Sequence, residues 1–240
     1  MNDQAVFERY ELKFLLTKAQ RQALLKVMDP VMTLDQYGRS VIRNIYLDTD
    51  TWLLARRSIE KPLYKEKLRL RNYRPAEADN PVYVELKKKY DGVVHKRRVR
   101  LQEAEAMAWI TGLTPPPEDS QIAREIAWFL QFYPTLAPRM FLSYEREAYF
   151  ERDGGPLRIT LDENILFRQD DLSLASEPGG TPILAPGQTL MEIKCAGSIP
   201  LWLTGFLTKE KIFKTSFSKY GTAYQMIHQG AVDHDKRIFA

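Results

Sequence analysis

Apolar and polar residues alternate with a period of two along much of this chain, which is the pattern of strands that bury one face. The alternation predicts strands over residues 6–15, 40–48, 64–74, 81–90, 93–101, 139–151, 156–162 and 188–195. Between the fourth and fifth of these, Asp91-Gly92 supplies the positive φ angles of a tight hairpin turn over residues 90–93. Most of the chain is therefore predicted to be antiparallel sheet.

Helix signals interrupt the strands. Thr17 is placed to cap a helix that stops before Pro30, and the last helix is predicted to start at Ser218. Three further helices are predicted over residues 50–59, 102–111 and 119–132. Many antiparallel strands with helices between them predict an α+β fold, in which a closed antiparallel β-barrel carries peripheral helices.

Composition narrows the class of protein. The chain has 240 residues and only short Pro- or Gly-rich passages, so residues 1–240 are predicted to form a single domain. One cysteine, Cys195, excludes an intramolecular disulfide framework and a Cys-based zinc cluster. No stretch approaches the ~20 apolar residues that cross a bilayer, and the N-terminus lacks the apolar segment of a secretory signal. We therefore expect a cytoplasmic protein.

The distribution of charge says more than the net charge of +4, which comes from 35 Lys and Arg against 31 Asp and Glu. Several predicted strands have a basic face, whereas the solvated face of an ordinary sheet mixes both signs. The basic positions are Arg9, Lys13, Lys65, Lys67, Arg69, Arg71, Lys87, Lys96, Arg98, Arg100, Arg146, Arg158 and Lys194. A barrel interior that collected them would need an anionic filling, and guanidinium groups favour phosphate.

Carboxylates occur on the same strand faces and are suited to a divalent cation that bridges phosphates. They are Glu11, Glu85, Asp162 and Glu192. A single Lys-x-Arg pair would indicate only a solvated strand face. The repetition of such pairs over many strands favours an anion-binding interior instead. A nucleic-acid partner is not expected, because the basic residues alternate with apolar ones toward a predicted interior instead of forming an outer stripe.

Other chemistries find little support in the sequence. His95, His228 and His234 have neither triad-like nor metal-ligand spacing, and Cys195 has no evident catalytic partner. No Gly-x-x-x-x-Gly-Lys-Ser/Thr loop occurs, so a P-loop nucleotide site is excluded.

Short strings in a fixed order resemble the triphosphate tunnel, or CYTH-like, superfamily over nearly the whole chain, from Phe7 to about Gln229. The closer resemblance is to the VTC domain, the catalytic domain of the eukaryotic vacuolar transporter chaperone polyphosphate polymerase, and to its bacterial stand-alone relatives. The strings are RYELKF at 9–14, IYLDT at 45–49, LRLRNY at 68–73, VELKK at 84–88, SYER at 143–146, LRITLD at 157–162, MEIK at 191–194 and FSKY at 217–220.

The resemblance implies a tunnel of antiparallel strands with a basic lumen. The implied reaction moves the terminal phosphate of ATP onto a growing polyphosphate chain, with Mn²⁺ or Mg²⁺ as cofactor. The expected ligands are therefore ATP, polyphosphate or triphosphate, and orthophosphate or pyrophosphate. A phosphate nucleophile is already ionised, so no strong general base is needed, and the protein's tasks are alignment and charge neutralisation.

Pattern and resemblance together assign the candidate site residues. The expected catalytic residues are Arg69, Arg71, Lys87, Arg146 and Arg158. The expected phosphate-binding residues are Lys13, Arg9, Lys67, Lys96, Arg98, Tyr144, Lys194, Ser218 and Lys219. The expected metal ligands are Glu192, Glu11 and Asp162. Two alternatives stay open: Ser218 could bind phosphate at a helix N-terminus or act only as the N-cap, and Glu11 could be a metal ligand or an internal partner of a lumen arginine.

The first string departs from part of the superfamily. Triphosphatases and class IV-type cyclases begin with Glu-x-Glu-x-Lys, whereas this chain has Arg9-x-Glu11-x-Lys13. Loss of one carboxylate weakens a hydrolytic metal site and adds phosphate affinity, which favours the polymerase-like branch. The alternatives are a metal-dependent inorganic or organic triphosphatase and a non-catalytic polyphosphate or polyanion binder. The chain lacks the SPX domain and membrane helices of the eukaryotic proteins, so export of product would need a separate membrane protein as partner.

Overall fold

The computed structural model describes residues 9–73, 80–91 and 93–238, with side chains described for residues 11–73, 80–91 and 93–229. The strands are β1 (Arg9–Leu16), β2 (Met32–Asp48), β3 (Tyr64–Asn72), β4 (Val82–Tyr90), β5 (Val93–Leu101), β6 (Ala137–Glu151), β7 (Arg158–Arg168), β8 (Thr181–Pro182), β9 (Thr189–Ala196) and β10 (Lys214–Thr215). The helices are α1 (Lys18–Met28), α2 (Leu53–Glu60), α3 (Glu103–Ile110), α4 (Gln121–Phe132), α5 (Leu201–Lys209) and α6 (Lys219–Ile238). The fold is α+β with a large antiparallel sheet, as predicted.

The chain divides into two compact units. The first consists of Met1–Val41, Tyr144–Ile165 and Leu184–Phe217, and the second of Ile42–Ser143, Leu166–Ile183 and Ser218–Ala240. The strand order in the sheet is β10-β1-β9-β7-β6-β2-β3-β4-β5, with β8 paired to β7. In the part of the chain that the structure describes, no hydrogen bonds join the two ends of this order. The sheet is therefore not closed by hydrogen bonds, and the predicted closed barrel goes beyond what the pairing shows.

The first unit has its core on one face of β1, β9 and β7. β1 pairs with β9 along its whole length, and β9 pairs with β7. Alternate residues of these strands, such as Phe14, Ile159 and Ile193, are buried together with side chains of α1 and α5. Thr17 caps α1 as predicted: its hydroxyl accepts a hydrogen bond from the backbone N–H of Gln20. Burial of one strand face leaves every second residue for the opposite face.

The second unit has its core on one face of β3, β4 and β5. The predicted hairpin is present: Tyr90 lies opposite Val93, and Asp91 has a φ of 42°. Gly92 itself lies outside the described residues. Alternate strand residues such as Leu68, Leu70 and Val84 are fully buried against α3 and α4. The period of two therefore correctly predicts which face of each strand is apolar.

The end of β2 is fixed to α2 by a buried carboxylate. Asp48 is fully buried, and its oxygens accept hydrogen bonds from the backbone N–H groups of Leu54 at 2.9 Å and Ala55 at 2.8 Å. The hydroxyl of Tyr220 also donates to Asp48, at 2.6 Å. Asp48 thus satisfies donors at the α2 N-terminus, where an anion is favoured by the helix dipole. This contact also ties α6 to the end of β2.

Several predicted boundaries were wrong. β2 begins at Met32 instead of residue 40, because its exposed first half has no apolar alternation to detect. β7 continues to Arg168, six residues beyond the predicted end at residue 162. α5, β8 and β10 were not predicted: Gly205 and two threonines lower the helix propensity of α5, and burial of Leu203 and Phe206 stabilises it instead. Predicted strand residues 6–8 and 74 lie outside the described residues.

None of the helices that the structure describes is long and apolar enough to cross a membrane.

Candidate functional site

One face of β3, β4 and β5 in the second unit is strongly basic. Cross-strand partners share a face of a sheet, and the register places Arg69 opposite Glu85 and Glu85 opposite Arg98. In these three strands as described, this face carries nine basic side chains and one carboxylate, that of Glu85. The basic residues are Lys65, Lys67, Arg69, Arg71, Lys87, Lys89, Lys96, Arg98 and Arg100. We call this surface the basic face.

Glu85 lies at the centre of the basic face and pairs with three cations from the two neighbouring strands, β3 and β5. Nε and Nη2 of Arg69 both donate to Oε2 of Glu85, at 3.0 Å and 2.8 Å. Nη1 of Arg71 lies 3.8 Å from the same oxygen, and Nζ of Lys96 lies 2.6 Å from Oε1. The side chain of Glu85 is 1% exposed. Glu85, which the sequence offered as a cation ligand, is therefore engaged by three basic side chains.

These contacts decide the ionisation of Glu85. Burial by itself would raise the pKa of Glu85, but the charges of Arg69, Arg71 and Lys96 outweigh it and lower the pKa from 4.5 to about 2. A carboxyl group whose pKa is lower in the folded state stabilises the fold above its unfolded pKa. That stabilisation is lost as the pH falls through the folded pKa.

We expect acid to remove the contribution of Glu85 between pH 4.5 and about 2. The free energy of unfolding of the wild type and of Glu85→Gln, measured by urea denaturation, should differ by the full amount above about pH 5 and converge toward pH 2. The comparison between the two proteins removes the titration of all other carboxyl groups, which they share. A difference that stays constant over this range would show that the pKa of Glu85 is not lowered.

β2 contributes two residues that sequence reasoning did not assign. Nη1 of Arg69 donates to the hydroxyl of Tyr46 at 2.9 Å, and Nε of Arg71 donates to Oδ1 of Asn44 at 2.8 Å. Although burial alone would raise the pKa of Tyr46, the neighbouring arginines lower it. Their spacing could have revealed them, because Asn44 and Tyr46 are two residues apart on a predicted strand and therefore share one face of it. These contacts orient both arginines before any ligand binds.

The start of α6 lies beside the basic face of the same unit. The hydroxyl of Ser218 accepts a hydrogen bond from the backbone N–H of Gly221 at 3.2 Å, so Ser218 is the N-cap of α6. Nζ of Lys67 donates to the same hydroxyl at 3.3 Å. Lys219 follows in the first turn and is half-buried. Of the two alternatives for Ser218, the N-cap is present, and phosphate binding at this helix end stays a prediction.

The first unit carries a second polar cluster, on the face of β1, β6, β7 and β9 opposite its core. Arg146 donates from Nε and Nη2 to the two oxygens of Asp162, each at 2.6 Å. Its Nη2 also donates to Oε2 of Glu192 at 3.4 Å. Asp162 is fully buried, and the guanidinium of Arg146 lies over the ring of Tyr144 at 5.1 Å. This bidentate pair is the most tightly bonded part of the cluster.

Lys13 lies between two of the predicted metal ligands. Its Nζ is 3.4 Å from Oε1 of Glu11 and 3.6 Å from Oε1 of Glu192, and it donates to the carbonyl oxygen of Phe217 at 3.0 Å. Nζ of Lys194 lies 4.0 Å from Oε2 of Glu11. Among the described residues, no group of three or more His, Cys, Asp or Glu side chains is arranged to bind a metal ion. Glu11 and Glu192 do converge on one cationic group, whereas Asp162 is bonded to Arg146.

Arg158 differs from the other arginines of this cluster. The register places it opposite Lys194, and its guanidinium lies 4.7 Å from the centre of the Phe150 ring. Its buried Nε has no hydrogen-bond partner, and neither does Oγ1 of Thr160 on the same face. No carboxylate pairs with Arg158 among the side chains that the structure describes. A half-buried guanidinium without an acidic partner suits an anion site.

The structure thus places the predicted residues in two groups, each within one unit. The second unit brings together Arg69, Arg71, Lys87, Lys67, Lys96, Arg98, Ser218 and Lys219. The first unit brings together Arg146, Arg158, Lys13, Tyr144, Lys194, Glu192, Glu11 and Asp162. The side chain of Arg9 lies outside the described residues.

A third charged network, on the other face of β6 and β7, was not predicted. Nη2 of Arg21 lies 2.8 Å from Glu147 and its Nε 2.8 Å from Glu163. Arg39 pairs with Glu163 at 2.6 Å and with Glu145 at 2.5 Å. Because this network pairs two arginines with three glutamates, it is typical of a structural ion-pair surface. The contrast with the basic face shows that the excess of positive charge is confined to particular strand faces.

Solved structures of other proteins have a fold similar to that of this chain. A proposed adenylate cyclase from Bacillus halodurans has a similar structure: it is 15% identical, covers 88% of this chain and 95% of its own, and has a TM-score of 0.53. HpAC1 from Hippeastrum, a proposed adenylyl cyclase with a dominant triphosphatase activity, is 19% identical, covers 88% of this chain and 92% of its own, and has a TM-score of 0.51. At these identities, the likeness concerns the fold alone.

The family follows from the sequence itself. The family model described as the VTC domain matches residues 8–228, and the chain therefore belongs to the VTC domain family. A search of curated proteins gave no match.

Proposed function

We propose that this protein is a polyphosphate polymerase, which transfers the terminal phosphate of ATP to the end of a polyphosphate chain. The observation that carries the proposal is the basic face, with nine cations around one carboxylate. Like charges on neighbouring strands repel one another, so this arrangement favours the binding of an anionic ligand. A polymeric substrate with one or more charges per phosphate matches this extended surface better than a single small anion does.

The polymerase branch is favoured by the first strand. Arg9 replaces the first carboxylate of the Glu-x-Glu-x-Lys pattern, which leaves Glu11 and Glu192 as the acidic pair around Lys13. Fewer carboxylates at this point favour binding of phosphate over a hydrolytic metal site. Membership of the VTC domain family also supports the polymerase branch, because the resemblance to this domain implies polymer synthesis.

Glu11 and Glu192 fit a divalent cation, Mn²⁺ or Mg²⁺, because they already converge on one positive group. When bound, such an ion would neutralise phosphate oxygens. Asp162 is excluded from this proposed ligand set by its bidentate pair with Arg146. With the ion bound, Lys13 would leave its position between the two glutamates and contact phosphate. Without the ion, Lys13 neutralises the two glutamates.

The proposed transfer needs alignment more than acid–base chemistry. A terminal oxygen of the polyphosphate chain attacks the γ-phosphorus of ATP, and a new P–O bond forms. The bond from γ-phosphorus to the β,γ-bridging oxygen breaks, its electron pair leaves with ADP, and the polymer is one phosphate longer. The attacking oxygen is already ionised. In the second unit, Arg69 and Arg71, oriented by Tyr46 and Asn44, would bind phosphate oxygens. In the first unit, Arg158 would supply positive charge to a bound phosphate without first breaking an ion pair.

The family's tunnel is part of the proposal. We propose that the substrate is enclosed as in triphosphate tunnel proteins. An enclosed polyanion would exclude water and so favour transfer to phosphate over hydrolysis.

Incubation of the purified protein with ATP and Mn²⁺ or Mg²⁺ tests this function. We expect long polyphosphate, seen as a ladder on a gel, together with ADP in equal amount to the phosphate incorporated. Glu192→Gln should lose metal-dependent synthesis, whereas Glu125→Gln, which removes a carboxylate from α4, should not. Release of orthophosphate without polymer would contradict polymer synthesis.

A triphosphatase is the second candidate, because HpAC1, which shares the fold, has a dominant triphosphatase activity. It predicts orthophosphate release from tripolyphosphate that depends on Glu192. Tight, salt-sensitive binding of polyphosphate with no turnover of either substrate would instead identify a polyanion-binding protein.

A further inference from the structure

A group of exposed apolar side chains lies at one end of β3, β4 and β5 in the second unit. We call it the hairpin tip, and it consists of Leu63, Tyr64, Tyr90, Val93 and Val94. Leu63, Val93 and Tyr90 are the most exposed, at 62%, 58% and 56% of their surface. Exposed apolar residues are ordinary when scattered, but a contiguous group marks an interaction surface.

The strand register shows that the hairpin tip is contiguous. Tyr64 lies opposite Tyr90, and Tyr90 lies opposite Val93. The backbone N–H of Asp91 donates to the carbonyl oxygen of Leu63 at 3.0 Å, which brings the segment before β3 against the hairpin turn. Three successive pieces of chain therefore present their apolar residues at one place.

Lysines occur in the same segments as this apolar group, although Lys88 pairs with Glu125 and Lys96 with Glu85. Segments 60–65 and 88–96 contain five lysines and a histidine, His95, against two carboxylates, Glu60 and Asp91. The lysines are Lys61, Lys65, Lys88, Lys89 and Lys96. Apolar side chains near lysines match the interface of an anionic bilayer, where the apolar groups enter the headgroup region and the ammonium groups contact lipid phosphates. Tyrosine suits the same position because its ring is apolar and its hydroxyl polar.

We propose that the hairpin tip docks this protein on an anionic membrane surface. Five side chains are far fewer than the ~20 residues that each partner contributes to a stable protein–protein interface, which favours a lipid surface over a protein partner. The two apolar positions on the side of the basic face, Leu63 and Val94, lie next to Lys65 and Lys89. This proposal does not depend on whether the protein makes or hydrolyses polyphosphate.

Vesicle flotation tests the proposal. The full chain should float with phosphatidylcholine vesicles that contain about 30% phosphatidylserine and not with pure phosphatidylcholine vesicles, and salt on the order of 0.5 M should weaken the binding. The triple variant Tyr90→Ser, Val93→Ser, Val94→Ser keeps every lysine and should lower the partition coefficient about tenfold or more. If the triple variant folds poorly, the double variant Leu63→Ser, Val93→Ser replaces it and should also lower the partition coefficient.

The matched control is Trp128→Ser with Phe132→Ser. These two side chains stack on α4 and are each 55% exposed, so their loss removes a comparable apolar surface elsewhere on the same unit. Vesicle binding should be unchanged in this control. The proposal is overturned if wild type fails to bind anionic vesicles, binds neutral ones equally well, or keeps its affinity when the hairpin tip is replaced.

Discussion

Glu85→Gln should lower the free energy of unfolding by about 3 kcal/mol at pH 7, because it leaves Arg69, Arg71 and Lys96 without their shared anion. The replacement keeps the size of the side chain and removes only its charge. Thermal unfolding with and without tripolyphosphate measures the effect. We expect the polyanion to raise the melting temperature of the variant more than that of the wild type, since it supplies the missing negative charge.

The control for this experiment is Glu125→Gln. Glu125 pairs with Lys88 at 3.9 Å and Arg97 at 3.6 Å on the opposite face of the same hairpin, and its side chain is 27% exposed. Exposed pairs of this kind contribute less than about 1 kcal/mol. Equal losses in the two variants, or no rescue of Glu85→Gln by tripolyphosphate, would show that Glu85 does not compensate the basic face.

Arg158→Ala should reduce turnover of the proposed reaction by roughly 10²- to 10³-fold, which is the usual effect of removing one group that stabilises transition-state charge. The same change should leave the free energy of unfolding within about 1 kcal/mol, because the guanidinium has a ring contact but no carboxylate partner among the described side chains. Rates with ATP and calorimetric affinity for tripolyphosphate should fall together. A lower affinity for tripolyphosphate would show that Arg158 binds phosphate, whereas an unchanged affinity would show a defect in the chemical step alone.

Two comparisons make this result specific. Arg124→Ala removes a guanidinium that is 63% exposed on α4, and it should change neither rate nor affinity. Arg146→Ala should instead lose both activity and stability, because it removes the bidentate ion pair of the fully buried carboxylate of Asp162. If Arg158→Ala destabilises the protein as much as Arg146→Ala does, Arg158 is a structural residue.

Sequence reasoning assigned basic residues to shared strand faces, although to one barrel interior and not to two clusters, because parity is a local property. Successive side chains of a strand point to opposite faces, so Lys67, Arg69 and Arg71 had to share a face whatever the strand packed against. Contacts between strands are not local. The role of Glu85 as the anion shared by cations of β3 and β5 depends on the register of β3, β4 and β5. The position of Lys13 between two glutamates depends on the register of β1 and β9.

Elements with weak local signals could not be predicted for the same reason. α5 contains a glycine and two threonines, and its stability comes from side chains buried in the core of the first unit. The first half of β2 is exposed, and hydrogen bonding defines it without any apolar pattern.

The sequence by itself determined the α+β class, the family and the strand faces on which basic residues lie, because strand periodicity and motif order are properties of the sequence alone. Only the tertiary structure decided which charges meet. It joined Arg146 to Asp162, left Nε of Arg158 without a partner, and gathered the apolar ends of three strands into the hairpin tip. Such pairings depend on strand register, which sets the distances between charged groups on different strands, and on burial, which lowers the dielectric constant around them. Neither can be obtained from a local sequence pattern.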